Sequence, residues 1–318
     1  MKSGLALVCK MLENSKKYDV IWATFRENVS TSKADALFNL FIELDRSDSV
    51  DSIQAGFAAI DQLLESEQFG QAAFASRLLA TNLTLLNRHE EAGQVMNQIL
   101  NSLFWLGDFE VGMVHYVCGR NFAARDLLQE ADTSFSHALS SLQGENEKFA
   151  AHAANELAEV QIRLGMRESA LKMFIRAVSG FEASGESSSV ANAKRRLGEE
   201  LSNAGRNSMA KKQLKDAVAI LDFLGWSDEL KRSSLSLAKV MCQLEELDEA
   251  EQILTNISES EAQEEDNGIV AEASFHLLLL KSKKMGSSQK LAAFESMSAI
   301  LRANGLSELA SQADCLSD

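Results

Sequence analysis

The sequence predicts an all-α fold of about seven antiparallel helix pairs, on three observations. An alanine followed by apolar residues four and seven positions on recurs as Ala92-Met96-Ile99, Ala131-Phe135-Ala138, Ala170-Phe174-Ala177, Ala210-Leu214-Ala217 and Ala250-Leu254-Ile257. The alanines stand 39, 39, 40 and 40 residues apart, a period that marks a helical repeat array. Proline is absent from all 318 residues, where ordinary usage of about 5% would place roughly 16. Proline breaks helix interiors, so its absence fits a chain that is helical nearly throughout. No stretch alternates apolar and polar residues over a useful length, so no sheet is expected.

Residues 1–32 are expected to form an N-terminal helical cap, with Leu5, Val8 and Leu12 at helical spacing. Lys10 interrupts the apolar run from Leu5 to Cys9, leaving it shorter than the ~7–15 residues of a secretory signal. The array is expected over 33–303. Its first copy is degraded: Leu40-Phe41 precedes Ile53-Phe57-Ile60, without the alanine. In the five full copies a large–small pair lies upstream of the alanine, as Leu79-Ala80, Cys118-Gly119, Leu157-Ala158, Leu197-Gly198 and Leu237-Ala238. The small residue lets the second helix approach closely, and the residues at +4 and +7 fill the face between them.

Gly107, Gly144, Gly185, Gly225 and Gly305 fall between repeats, where a left-handed helix cap is expected. Asp108 is placed to cap the helix that follows Gly107. Gly165, Gly205 and Gly286 mark turns within repeats. Residues 258–267 are polar and acidic and read as a solvated connection. Lys290-Phe294-Met297, after Leu277-Leu278, is the last degraded copy, and terminal repeats of an array are expected to be atypical. Residues 304–318 are expected to supply a C-terminal capping helix, Leu306 to about Leu316, and a tail.

This pattern resembles the tetratricopeptide repeat, in which a large–small pair on the first helix faces Ala, a large residue and Ala on the second. The resemblance covers roughly residues 33–303 and implies a right-handed α-solenoid, or superhelix. The chain departs from the family in two ways. Its period exceeds the usual 34 residues, and the proline that commonly closes each repeat is replaced by Phe104, Gln143, Glu182, Asp222 and Ala262. Longer, proline-free repeats are similar to those of bacterial regulatory and sensor proteins within the superfamily.

The formal net charge of −15 works against nonspecific nucleic-acid binding, which needs Lys and Arg to displace counterions from phosphates. No apolar stretch approaches the ~20 residues of a membrane-spanning helix. Cys9, Cys118, Cys242 and Cys315 are widely spaced, without a Cys-x-x-Cys pair, and fit reduced thiols. The expected setting is cytoplasmic, where the Asn-x-Ser/Thr matches at Asn28, Asn82 and Asn256 carry no meaning. The sequence holds no Gly-rich phosphate loop, nucleophile elbow, metalloprotease helix or zinc spacing. His115 and Cys118 share one helix, but Cys118 fills the large-residue slot of its repeat. No enzymatic activity, metal or cofactor is expected.

By the same resemblance, ligands are met on the concave face lined by the first helix of each pair. Counting three before the small residue gives Arg77, Tyr116, Asn155, Arg195 and Leu235; one after it gives Thr81, Arg120, Glu159, Glu199 and Lys239; six before adds His152, Asn192 and Arg232. The candidate contacts are Arg77, Tyr116, Arg120, His152, Asn155, Glu159, Asn192, Arg195, Glu199 and Arg232. Such a set suits an extended peptide, because Asn amides pair with peptide backbone and Arg forks grip carboxylates. The Lys/Asn/Lys/Arg arrangement that some family members use for a chaperone's C-terminal carboxylate is not found in register.

Within an acidic chain the segment 194–232 is basic, with Lys194, Arg195, Arg196, Arg206, Lys211, Lys212, Lys215, Lys231 and Arg232. It either accepts an acidic partner or balances neighbouring acidic faces. The expected function is non-catalytic protein or peptide binding, as a scaffold or adaptor. The alternative is a module that senses a peptide or small ligand and acts on a separate output protein, with a helical-repeat enzyme as a remote third. Nucleic acid and membrane are not expected partners, and exposed end faces leave room for a homo-oligomer.

Overall fold

The computed structural model describes residues 32–46, 51–260 and 267–317. Residues 1–31 of the expected N-terminal cap, and 261–266 of the acidic connection, lie outside the described residues. Among those described, every regular element is a helix. The first helices are α1 (Lys33–Arg46), α2 (Ser52–Glu65), α3 (Phe69–Leu85) and α4 (His89–Leu100). A 3-10 turn, Leu103–Trp105, leads to α5 (Asp108–Ala124), α6 (Leu128–Leu142), α7 (Glu147–Arg163) and α8 (Arg167–Ser184). Then come α9 (Ser187–Asn203), α10 (Asn207–Leu224), α11 (Ser227–Gln243), α12 (Leu247–Ser258), α13 (Asn267–Ser282), α14 (Ser287–Ala303) and α15 (Ser307–Ser317).

The helices divide into two compact units, one ending at Met173 and the other beginning at Phe174, so the division falls inside α8. In the first unit α1 packs on α2, α3 on α4 and α5 on α6, and the leading helices also meet, α3 on α5 and α5 on α7. In the second unit α9 packs on α10, α11 on α12 and α13 on α14, with α9 on α11 and α11 on α13. Each unit is thus a stack of helix pairs, the expected all-α solenoid arrangement. α15 packs on α14, where Ser298 Oγ donates to Asp314 Oδ1 at 2.5 Å and accepts from Arg302 Nη1 at 2.7 Å.

The recurring triplet is the packing core. Ala92, Met96, Ile99, Ala131, Phe135 and Ala138 are buried in the first unit, and Ala210, Leu214, Ala217, Ala250 and Leu254 in the second. The small position opposite does what its size implies. A Cβ on Gly119 would lie 2.8 Å from the Phe135 ring, so the ring of α6 packs directly on the α5 backbone there.

The turn inside each of the five pairs from α3–α4 to α11–α12 repeats with the same phase. One residue is left-handed in each: Asn87 (φ 59°), Asp126 (61°), Gly165 (76°), Gly205 (72°) and Glu245 (62°). The following N–H then reaches back to the last turn of the first helix, as from Arg88 to the Leu83 carbonyl at 2.8 Å and from Arg206 to that of Leu201 at 2.8 Å. This satisfies a carbonyl that the helix end leaves open. Gly286 does not share the conformation; at φ −71° it is the extended residue ahead of α14.

Gly107 also departs from the expected left-handed cap, with φ −72° and ψ 164°. The 3-10 turn Leu103–Trp105 already reverses the chain, leaving Gly107 as the extended residue before α5. Asp108 is therefore the first helical residue rather than the cap, where its charge complements the helix dipole.

Candidate functional site

In the first unit the expected contact residues lie on α3, α5 and α7, and most are held by packing. Arg77 is half-buried on α3, with its guanidinium carbon 5.7 Å from the Phe74 ring centroid. Burial lowers its pKa, against the opposing pull of Glu110 on α5. Its Nε is enclosed without a hydrogen-bond partner. Tyr116 of α5 stands edge-on to Phe135, 5.9 Å between ring centroids, and packs on the apolar core. Burial pushes its phenol up to about 12. Arg120 is exposed on the same helix. On α7, the His152 ring lies 6.4 Å from that of Phe149, and Asn155 and Glu159 are partly exposed.

In the second unit three of the expected residues come together. A cleft of about 410 Å³ opens between α9 and α11 and is lined by Asn192 and Arg195 from α9 and by Arg232 from α11. Buried Leu221 of α10 supplies apolar lining. A hydrogen bond between neighbouring helices, from Ser236 Oγ to Glu199 Oε1 at 2.8 Å, ties α11 to α9. One turn back on each helix stand Arg232 and Arg195. A further turn back stand Asn192 on α9 and Asp228 and Glu229 on α11. Ser188, Ser189 and Trp226 line the remaining end.

Arg195 is restrained on both sides. Its Nη1 donates to Glu199 at 2.7 Å and its Nη2 to the Asn192 side-chain oxygen at 3.0 Å. Arg232 is exposed and carries no ion pair among the described residues. Ser233, the next residue, is fully buried against the cleft, and its Oγ has no hydrogen-bond partner. A buried hydroxyl left unpaired costs about 1–3 kcal/mol.

The counting rule missed Ser188, Ser189, Trp226, Asp228, Glu229 and Ser233. It is anchored on the small residue near the middle of each first helix, so the first turns of α9 and α11 and the turn before α11 fall outside, and Ser233 falls between two counted positions. Trp226 left one trace, as an aromatic beside Gly225, which is left-handed at φ 71°. Leu235, counted as a groove position, is instead buried in the core shared by α11, α12 and α13.

Much of the basic segment is neutralised within the fold. Lys194 contacts Glu182 at 3.0 Å and Asp216 at 3.2 Å, Lys215 contacts Glu249 at 3.8 Å, and Lys211 pairs with Glu246. Arg196 lies 3.6 Å from Glu199.

Among the described residues no group of three or more His, Cys, Asp or Glu is disposed to hold a metal ion. His115 lies against His137 of α6, 5.0 Å between ring centroids. Burial lowers its pKa, and the charge of His137 adds to the effect. Cys118 is buried, with its thiol pushed up to about 12. No described helix is long and apolar enough to cross a membrane.

No protein-family profile and no curated protein sequence matches the chain. Solved structures do match, and they show the tetratricopeptide-like fold. A signal transduction ATPase with numerous domains that has a tetratricopeptide repeat sensor, from Pyrococcus horikoshii, superposes with a TM-score of 0.65 at 13% identity, over 91% of this chain and 47% of that one. The apo form of RapI gives 0.58 at 12% identity, over 77% and 96%. YrrB, described as a tetratricopeptide-repeat protein with an unusual peptide-binding site, gives 0.50 at 19% identity, over 71% and 98%.

Proposed function

We propose that this chain is a non-catalytic peptide-binding repeat protein, acting as a scaffold or adaptor, and that the α9–α11 cleft is a principal contact site. The observation that carries this reading is the convergence of Asn192, Arg195 and Arg232 on one cleft. These residue types serve peptide recognition, amide for backbone and guanidinium for carboxylate. A binding site in YrrB, which has the same fold, supports the peptide reading by analogy.

The cleft's volume, about 410 Å³, favours a second reading as a sensor. It falls in the range of about 300–1,000 Å³ used by small ligands, so a short peptide could act alone on a separate output protein. The candidate positions of the first unit (Arg77, Tyr116, Arg120, His152, Asn155 and Glu159) are proposed as a contact surface of that unit in its own right.

Binding of the full chain to an array of fifteen-residue peptides, about 50 Å when extended, tests this reading. Wild type is expected to retain a subset that Asn192→Ala and Arg232→Ala each weaken. Retention unchanged in both variants, or no retention at all, would sink it. A scaffold needs the longer peptides, whereas a sensor retains affinity when they are cut to a few residues.

A further inference from the structure

We infer that the α9–α11 cleft reads both ends of a short peptide: it takes a free dipeptide or tripeptide as a zwitterion, carboxylate on Arg232 and ammonium at Asp228 and Glu229. This rests on the peptide-binding reading and narrows it to a ligand class.

The charges decide the class. Arg195 is already engaged by Glu199 and Asn192, so Arg232 is the cation left for a ligand. Asp228 and Glu229 stand in the same cleft, one helical turn away. A ligand carrying only negative charge would meet those two carboxylates, and one carrying only positive charge would meet Arg232. A zwitterion laid along α11 satisfies both. Asp228 and Glu229 precede Arg232 by four and three residues, a rise of about 6 and 4.5 Å along the helix. An extended dipeptide spans at most about 7 Å and a tripeptide about 10–11 Å, so flexible side chains reach the termini of either.

One further group matches such a ligand. Trp226 is exposed at the cleft and close in sequence to Leu221, offering an apolar surface for one side chain. An internal segment of a long chain brings no terminal charges to Arg232, Asp228 or Glu229.

The test is calorimetric titration of the full chain with alanyl-phenylalanyl-alanine and its N-acetylated, C-amidated and doubly blocked forms. The free tripeptide is expected to bind, with each single block weakening it at least about tenfold. In Arg232→Gln, amidation should cease to matter while acetylation still does; in Glu229→Gln with Asp228→Asn, the reverse. All three residues lie on α11 and none is buried, and circular dichroism verifies the fold of each variant. If blocked forms bind as well as the free peptide, or only fifteen-residue peptides bind, the end-reading inference is overturned and peptide binding stands. If no peptide of either length binds, both fall.

Discussion

Gly198 and Leu214 set the distance between α9 and α10. A Cβ on Gly198 would lie 2.6 Å from Leu214 Cγ and 3.3 Å from the Ala210 carbonyl oxygen. Leu214 is fully buried and cannot swing away into solvent. Gly198→Ala gains up to ~1 kcal/mol of helix propensity but overpacks the contact at ~1–3 kcal/mol. With the full propensity gain the expected net is a loss of up to about 2 kcal/mol, read as a lower urea midpoint. The loss should shrink in a Leu214→Ala background, where the obstructing carbons are gone. Equal losses in both backgrounds would refute the steric account.

The left-handed turn residues separate backbone preference from packing. No atom lies within 4 Å of a Cβ placed on Gly205, yet its φ is +72°. Gly205→Ala therefore meets no clash and loses stability through its backbone alone, by about 1 kcal/mol. Gly205→Asn should lose less, since Asn tolerates this region and already occupies the equivalent turn at Asn87. Thermal unfolding of the two variants checks the order; alanine equal to asparagine would contradict it.

The fold was legible because packing leaves a phase in the sequence. The small residue, the alanine and the apolar pair recur together, and all three face the same helix–helix contact. The turns were half legible. Glycine advertised Gly165 and Gly205; Asn87 and Asp126, which tolerate the same conformation, are weaker signals, and Glu245 adopts it with no signal at all. The cleft was the least legible part. Asn192, Arg195 and Arg232 could be counted from the repeat, whereas Trp226 and Ser233 depend on how α9 and α11 lie side by side. The role of Tyr116 and Leu235 was misleading for a related reason: a position on the inner face touches either solvent or the neighbouring helix, and only the packing decides which.

The thiols differ in environment, and so should their reactivity. Cys118 is buried, with a pKa near 12, while Cys315 is exposed on α15. The thiolate is the reactive species, so at neutral pH Cys315 should label rapidly with a maleimide and Cys118 only after unfolding. Peptide mapping of a timed reaction distinguishes them. Labelling of Cys118 at the rate of Cys315 in the native chain would show that α5 opens readily.

Glu272 gives the second unit an acid limit. His276 and Lys239 hold its carboxyl down at about 2, against the opposing effect of burial. The Lys239 ammonium is 2.9 Å away and His276 Nε2 3.8 Å. A carboxylate whose folded pKa is depressed contributes stability above its unfolded value of about 4.5, and that contribution disappears as pH falls toward 2. Glu272→Gln should therefore be less stable than wild type near neutral pH, with the gap closing from about 4.5 downward. Urea unfolding at a series of pH values reads the gap directly. A gap that is constant across this range would mean that Glu272 contributes by packing rather than by charge.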